Sequence, residues 1–131
     1  MKIIDKKVEK LQVLVYETRA EMGQAAAQVV EQKIKQSIAS KGEATVVFAA
    51  APSQNEMLAA LIESDIDWSK VRALHLDEYI GLPVNHPAGF GNFLRRTIFD
   101  KLEFKEIHYL YNNELTPEEV CERYSKLIEQ Y

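Results

Sequence analysis

The stretch ATVVFAA (residues 44–50) is a near-continuous run of small and β-branched residues. A strand with one wet face alternates apolar and polar residues, so an unbroken run of this length is expected of a strand covered on both faces by helices. On its amino side, Gly42 stands where a left-handed helix terminator belongs. The helix it ends is one that Thr18 can cap, and Met22, Ala26, Val29, Val30, Ile34 and Ile38 keep roughly helical spacing within it. Before that helix, LQVLVY (residues 11–16) reads as a further short strand.

On the carboxyl side the same alternation continues. Pro52 and Ser53 turn the chain, and Met57, Leu58, Leu61 and Ile62 form one stripe of a second helix. The polar stretch DIDWSK (residues 65–70) leads into VRALHL (residues 71–76), a third strand with Asp77 at its carboxyl end. GLPVNHPAGFG (residues 81–91) holds two prolines and three glycines, too many for a regular element, and reads as a surface loop bordering a site. Phe90, Phe93, Leu94, Ile98 and Leu102 mark an amphipathic helix, followed by a short strand at residues 107–110. Thr116, Pro117 and Glu119 supply an N-cap, a first-turn proline and a capping-box acid for a last helix. That helix places Val120, Cys121, Tyr124, Leu127, Ile128 and Tyr131 on one face. Strands alternating with helices of this length predict an α/β fold: a Rossmann-like, doubly wound, mostly parallel sheet, since each parallel connection needs a crossover.

Composition narrows the function. The 131 residues suit one domain, and 47% hydrophobic with 27% charged residues match a folded chain. A net charge of -4 gives no general field for collecting nucleic acid or an anionic membrane, so any anionic substrate must be held locally. No apolar run reaches membrane-spanning length and the first ten residues lack a signal-peptide core, which makes a cytoplasmic protein the expectation. Cys121 has no cysteine partner, and no Cys/His cluster has zinc spacing; neither metal nor cofactor is expected.

In an open parallel sheet the ligand lies beyond the carboxyl ends of the strands. Three segments qualify: Ala51 to Asn55 with Ser53 and Gln54; Asp77, Glu78 and Tyr79; and Tyr111, Asn112 and Asn113. His86 before a proline reads as a turn residue, His75 and His108 as strand residues of core or surface, Arg95 and Arg96 as a solvated helix face, and Cys121 as a small buried residue.

The segment LHLDEYIGLPVNHPAGFGNFLRRTIF (residues 74–99) resembles the Asp-Glu-Tyr segment of glucosamine-6-phosphate deaminases. Asp77, Glu78 and Tyr79, then Gly81, Leu82 and Pro83, then His86 and Pro87 fall in the family's order, and weaker similarity extends to Glu122, Arg123 and Tyr124. The resemblance implies that Asp77 is the base that removes a proton beside the carbonyl of the open-chain sugar and returns it to the neighbouring carbon. It assigns Glu78 to the same site, where it holds the loop by accepting backbone hydrogen bonds, and Tyr79 to lining the sugar pocket or packing. Ser53 and Gln54 would offer donors to phosphate, although AAAPSQNE (residues 49–56) has alanines where the family places glycines, which puts a close phosphate cradle in doubt.

By the same resemblance, the family's ring-opening histidine, its supporting carboxylates and a phosphate-binding lysine lie on a second half that this sequence does not contain. Residues 1–131 are therefore expected to be the amino-terminal portion of a single domain, catalytically silent or nearly so. The partners this implies are a phosphorylated sugar and either a second copy of the chain or the missing carboxyl-terminal half. A 6-phosphogluconolactonase-like hydrolase and a non-catalytic sugar-phosphate sensor are the rival readings.

Overall fold

The computed structural model describes residues 1–111 and 113–131. Three strands, β3 (Ala44–Phe48), β4 (Val71–His75) and β5 (Glu106–His108), form a parallel sheet in that order. Phe48 lies beside His75 and Leu74 beside His108, so all three strands end on one rim. Between them run the crossover helices α2 (Asn55–Ile62) and α3 (Phe90–Thr97); α1 (Arg19–Lys41) precedes the sheet and α4 (Pro117–Gln130) follows it.

Alternation along the strands divides the sheet's two faces. Ala44, Phe48, Val71 and Ala73 join Ala27 and Ile34 of α1, Leu58 and Leu61 of α2, and Leu94, Ile98 and Phe99 in one buried core. Phe48, Phe99 and Phe104 meet edge-on at 5.4 to 6.1 Å, the geometry the ring quadrupole favours. Burying each such side chain stabilises the fold by about 1.5–3 kcal/mol. Arg72 and Leu74 point the other way. Arg72 is almost wholly buried, bonded to Glu106 at 2.7 Å and to Glu43 and Thr45 at 3.2 Å, with the Tyr131 ring 3.4 Å from its guanidinium carbon. This cation draws the Glu106 carboxyl down to about 2. Leu74 is buried on this second face, but Thr45 and Val47 of β3 are exposed there, so the cover expected on both faces of that strand is found on one; β3 lies at the edge of the described sheet.

The helix ends follow the sequence. Thr18 accepts from the Glu21 amide, Gly42 closes α1 at φ 81°, and Thr116 and Glu119 complete a capping box at α4.

Several expectations need correction. The run 11–16 is a strand, β2 (Leu11–Tyr16), but it pairs antiparallel with β1 (Lys2–Val8), a strand the charged start of the chain concealed. The two are joined by the tight turn at Glu9, φ 53°, so a local hairpin forms where a first strand of the parallel sheet was expected. α3 stops at Thr97, and Ile98 takes a non-helical φ of -146°; Phe99 to Lys101 form a separate 3-10 turn, with Leu102 beyond it. Cys121 is exposed, because α4 buries Tyr124 against the strand ends and turns Cys121 toward an open cavity. Met22 and Val29 are likewise exposed; α1 packs through Gly23, Ala27 and Ile34, since a closely approaching α2 admits only small residues at the crossing.

Candidate functional site

The rim where the three strands end carries an open cavity of about 720 Å³. Asp77, Glu78 and Tyr79 form one wall, Leu110 and Tyr111 a second, and Val120 and Cys121 of α4 a third. Leu76 donates its amide to the Phe48 carbonyl at 2.9 Å, extending the β3–β4 pairing by one step before the chain leaves the sheet. Asp77 is the next residue, and it is exposed at the cavity. The sheet thus delivers a carboxylate to the rim while its main chain is still anchored.

Glu78 lines the same wall, but its carboxylate is engaged by backbone amides. Its Oε1 accepts from the amides of Tyr79 at 3.0 Å and Phe90 at 2.8 Å, and its Oε2 from Gly91 at 3.0 Å. It therefore serves as the side-chain cap of α3, where an anion also meets the positive end of the helix dipole. Gly91 makes room for this: a β-carbon there would stand 3.2 Å from the Tyr109 ring and 3.4 Å from Glu78 Oε2. The loop between is folded on itself. His86 Nδ1 accepts from the Ala88 amide, Asn92 donates to the carbonyls of Val84 and His86, and Arg96 donates to that of Pro87. His86 is a turn residue, as its sequence context implies. Tyr79 both lines the cavity and stacks on Phe90, ring centroids 4.6 Å apart. Arg95 and Arg96 are exposed, lying over the rings of Tyr109 and Phe93.

His75, the last residue of β4, is buried at 1% exposure. Its Nδ1 lies 3.0 Å from the Asp77 carbonyl, and its Nε2 accepts from the Leu110 amide at 3.0 Å. Its own amide donates to the Tyr124 hydroxyl, which donates in turn to the His108 carbonyl. Burial holds the imidazole pKa below its usual value. Reading the sequence alone left His75 without a role; its position two residues before Asp77 was the available signal.

Ser53 and Gln54 lie in a 3-10 turn, Pro52–Gln54, that runs into α2, and neither lines the cavity. Gln54 occupies the N-cap position of α2 and makes no side-chain capping bond. The turn sits on the same rim, beyond β3. Arg19, which the sequence reading passed over, reaches it from α1: its guanidinium donates to the Pro52 carbonyl at 3.2 Å and pairs with Glu56 at 2.8 Å. The third candidate segment includes Asn112, which lies outside the described residues; Tyr111 and Asn113 line the cavity. Among the described residues that line it, Asp77 and Glu78 carry the charge. An anionic group bound there must find its cations elsewhere. Among the described residues, no group of His, Cys, Asp and Glu is arranged to hold a metal ion, and no helix is long and apolar enough to cross a membrane.

A parallel α/β sheet with its candidate carboxylate on the carboxyl rim defines the Rossmann-like class, and comparison with known proteins narrows it. The sequence profile of the glucosamine-6-phosphate isomerases/6-phosphogluconolactonase family matches residues 17–131, and the chain belongs to that family. A glucosamine-6-phosphate deaminase of Listeria monocytogenes is 31% identical over 123 residues, 92% of this chain and 50% of that protein. One from Streptococcus pneumoniae is 26% identical, covering 90% of this chain and 48% of its own length. Among solved structures, a monomeric glucosamine-6-phosphate deaminase superposes with a TM-score of 0.75 at 21% identity, covering 88% of this chain and 48% of that one. A 6-phosphogluconolactonase from Shewanella baltica also gives 0.75, at 18% identity, covering 88% and 50%. The fold is thus common to both activities, and the chain spans about half the length of the curated relatives it matches.

Proposed function

We propose that the chain is the part of a sugar-phosphate isomerase/deaminase that carries the proton-shuttling base. The substrate is glucosamine 6-phosphate or a related 6-phosphorylated amino sugar. In a complete polypeptide Asp77 takes the proton from C2 of the ring-opened sugar and returns it to C1. In that exchange the C1 aldehyde becomes a C1 hydroxyl and C2 becomes an imine; water then adds to the imine at C2 and ammonia leaves, which generates the C2 carbonyl. The observation that carries this reading is the exposed Asp77 carboxylate on the strand rim, its neighbour Glu78 being committed to α3 and so unavailable as the base. Ser53 and Gln54 are proposed to meet the phosphate from the neighbouring turn, and Tyr79 to contact the sugar. Residues 1–131 act as one portion of a single domain, and by themselves bind without turnover, because a closed sugar offers Asp77 no acidified C–H bond.

The test is an NMR titration of the chain with glucosamine 6-phosphate and, separately, with 6-phosphogluconate. Amide shifts at Asp77, Tyr79 and Ser53 with the amino sugar, and no ammonia release from the chain alone, are expected. A response confined to 6-phosphogluconate would favour the lactonase relatives instead.

A further inference from the structure

His75 is the last residue of β4, at the strand rim. It is buried, yet both ring nitrogens are engaged, and by groups on different strand ends: the Asp77 carbonyl beyond β4 and the Leu110 amide beyond β5. The Leu110 amide can only donate, so Nε2 carries no proton; the neutral ring then has its proton on Nδ1, which donates to the Asp77 carbonyl. The ring is fixed from outside as well. Its main-chain amide is held at 2.8 Å by the Tyr124 hydroxyl, and the Nε2 edge is met by Gly91, whose missing β-carbon would lie 3.5 Å away.

We infer that His75 is a positioning residue for Asp77: through Nδ1 it fixes the main chain that carries the carboxylate, and through Nε2 it fixes the cavity wall facing it. This rests on the proposed role of Asp77. A hydrophobic side chain of the same size would fill the space and release both tethers. An asparagine places a side-chain donor where Nδ1 stands, keeping the Asp77 tether and abandoning the Leu110 one.

The experiment uses the 131-residue chain. Long-range proton–nitrogen NMR spectra are expected to show a protonated Nδ1 and a bare Nε2 on His75. In His75→Phe, the Leu110 amide exchanges about tenfold faster, the scale of one lost hydrogen bond, and the Asp77 carbonyl carbon resonance moves, while the Val46 and Ala73 amides of the sheet keep their protection. In His75→Asn the Asp77 carbonyl signal returns to its wild-type position and Leu110 stays unprotected, a separation that a merely space-filling histidine does not produce. Titrated with glucosamine 6-phosphate, His75→Phe responds at Asp77 at least about tenfold more weakly and His75→Asn as wild type does. A proton on Nε2 in the wild type, or an Asp77 carbonyl signal and ligand response unchanged in both variants, overturns the inference. If His75→Phe does not fold, His75→Asn decides alone, by splitting the two signals or failing to. A wild-type chain with the expected tautomer but no response to the sugar refutes the functional reading and leaves the tether standing.

Discussion

The side chains around Asp77 divide into one that faces the cavity and several that fix where it stands. Glu78 is the clearest of the latter: three amides depend on it, two of them at the start of α3. Replacing it by alanine is expected to cost about 2 kcal/mol, within the range for a lost helix cap plus charge-assisted bonds, measured by urea unfolding. Gly91→Ala should cost about 1 kcal/mol by the same assay, since the added methyl must displace the Tyr109 ring or the Glu78 carboxylate. His75 gives stability a pH dependence. Its folded pKa lies below the ordinary value of 6.5, so the unfolded chain takes up the proton first; its contribution is complete above about pH 6.5 and declines as pH falls toward the lowered native value. Unfolding at pH 7.5 and 5.5, with the difference reduced in His75→Asn, would check it. The motif identified Asp77 and Glu78 in the sequence, whereas the role of His75 did not show, because its partners are main-chain groups 2 and 35 residues away. Main-chain partners leave no trace in side-chain patterns.

At the scale of elements, α1 packs on the crossover helix α2 at Gly23, where a β-carbon would lie 2.5 Å from that of Glu56 and 2.9 Å from its main chain. Gly23→Ala is therefore expected to push the helices apart and destabilise the chain by about 3 kcal/mol, read as a lowered unfolding midpoint. α4 is tied to the rim by the Tyr124 hydroxyl, which bridges His75 and His108 at 2.8 and 3.0 Å, and by Arg123, which donates to the carbonyls of Tyr109 and Leu110 at 2.9 and 3.1 Å. The elements with strong local signals were legible in advance: caps at Thr18, Gly42 and Thr116, and the unbroken apolar run of β3. The hairpin β1–β2 was half legible. Its second strand showed, but the first, KIIDKKV, is exposed along its whole length and carries no burial pattern to read. Its partner is chosen by a two-residue turn at Glu9, which has none of the glycine or asparagine that ordinarily marks one.

For the molecule as a whole, the sheet order β3-β4-β5 leaves β3 an edge strand among the described residues, with its own Val47 half exposed. The chain matches about half the length of the deaminase relatives, and the charged residues that line its cavity, among those described, are acidic; under the proposed function the cations that meet the phosphate lie outside that lining. Sequence showed the class of fold because periodicity is local; it left the cavity unseen, because that space is bounded by segments that meet only when β4, β5 and α4 assemble. The central claim is that Asp77 moves the proton. The most direct measurement is ammonia release from glucosamine 6-phosphate by a polypeptide joining this chain to a carboxyl-terminal half of the family, with Asp77 intact and with Asp77→Asn. The account predicts turnover that the amide lowers by about 10²–10⁴ with the fold unchanged; equal rates from the two proteins would contradict it.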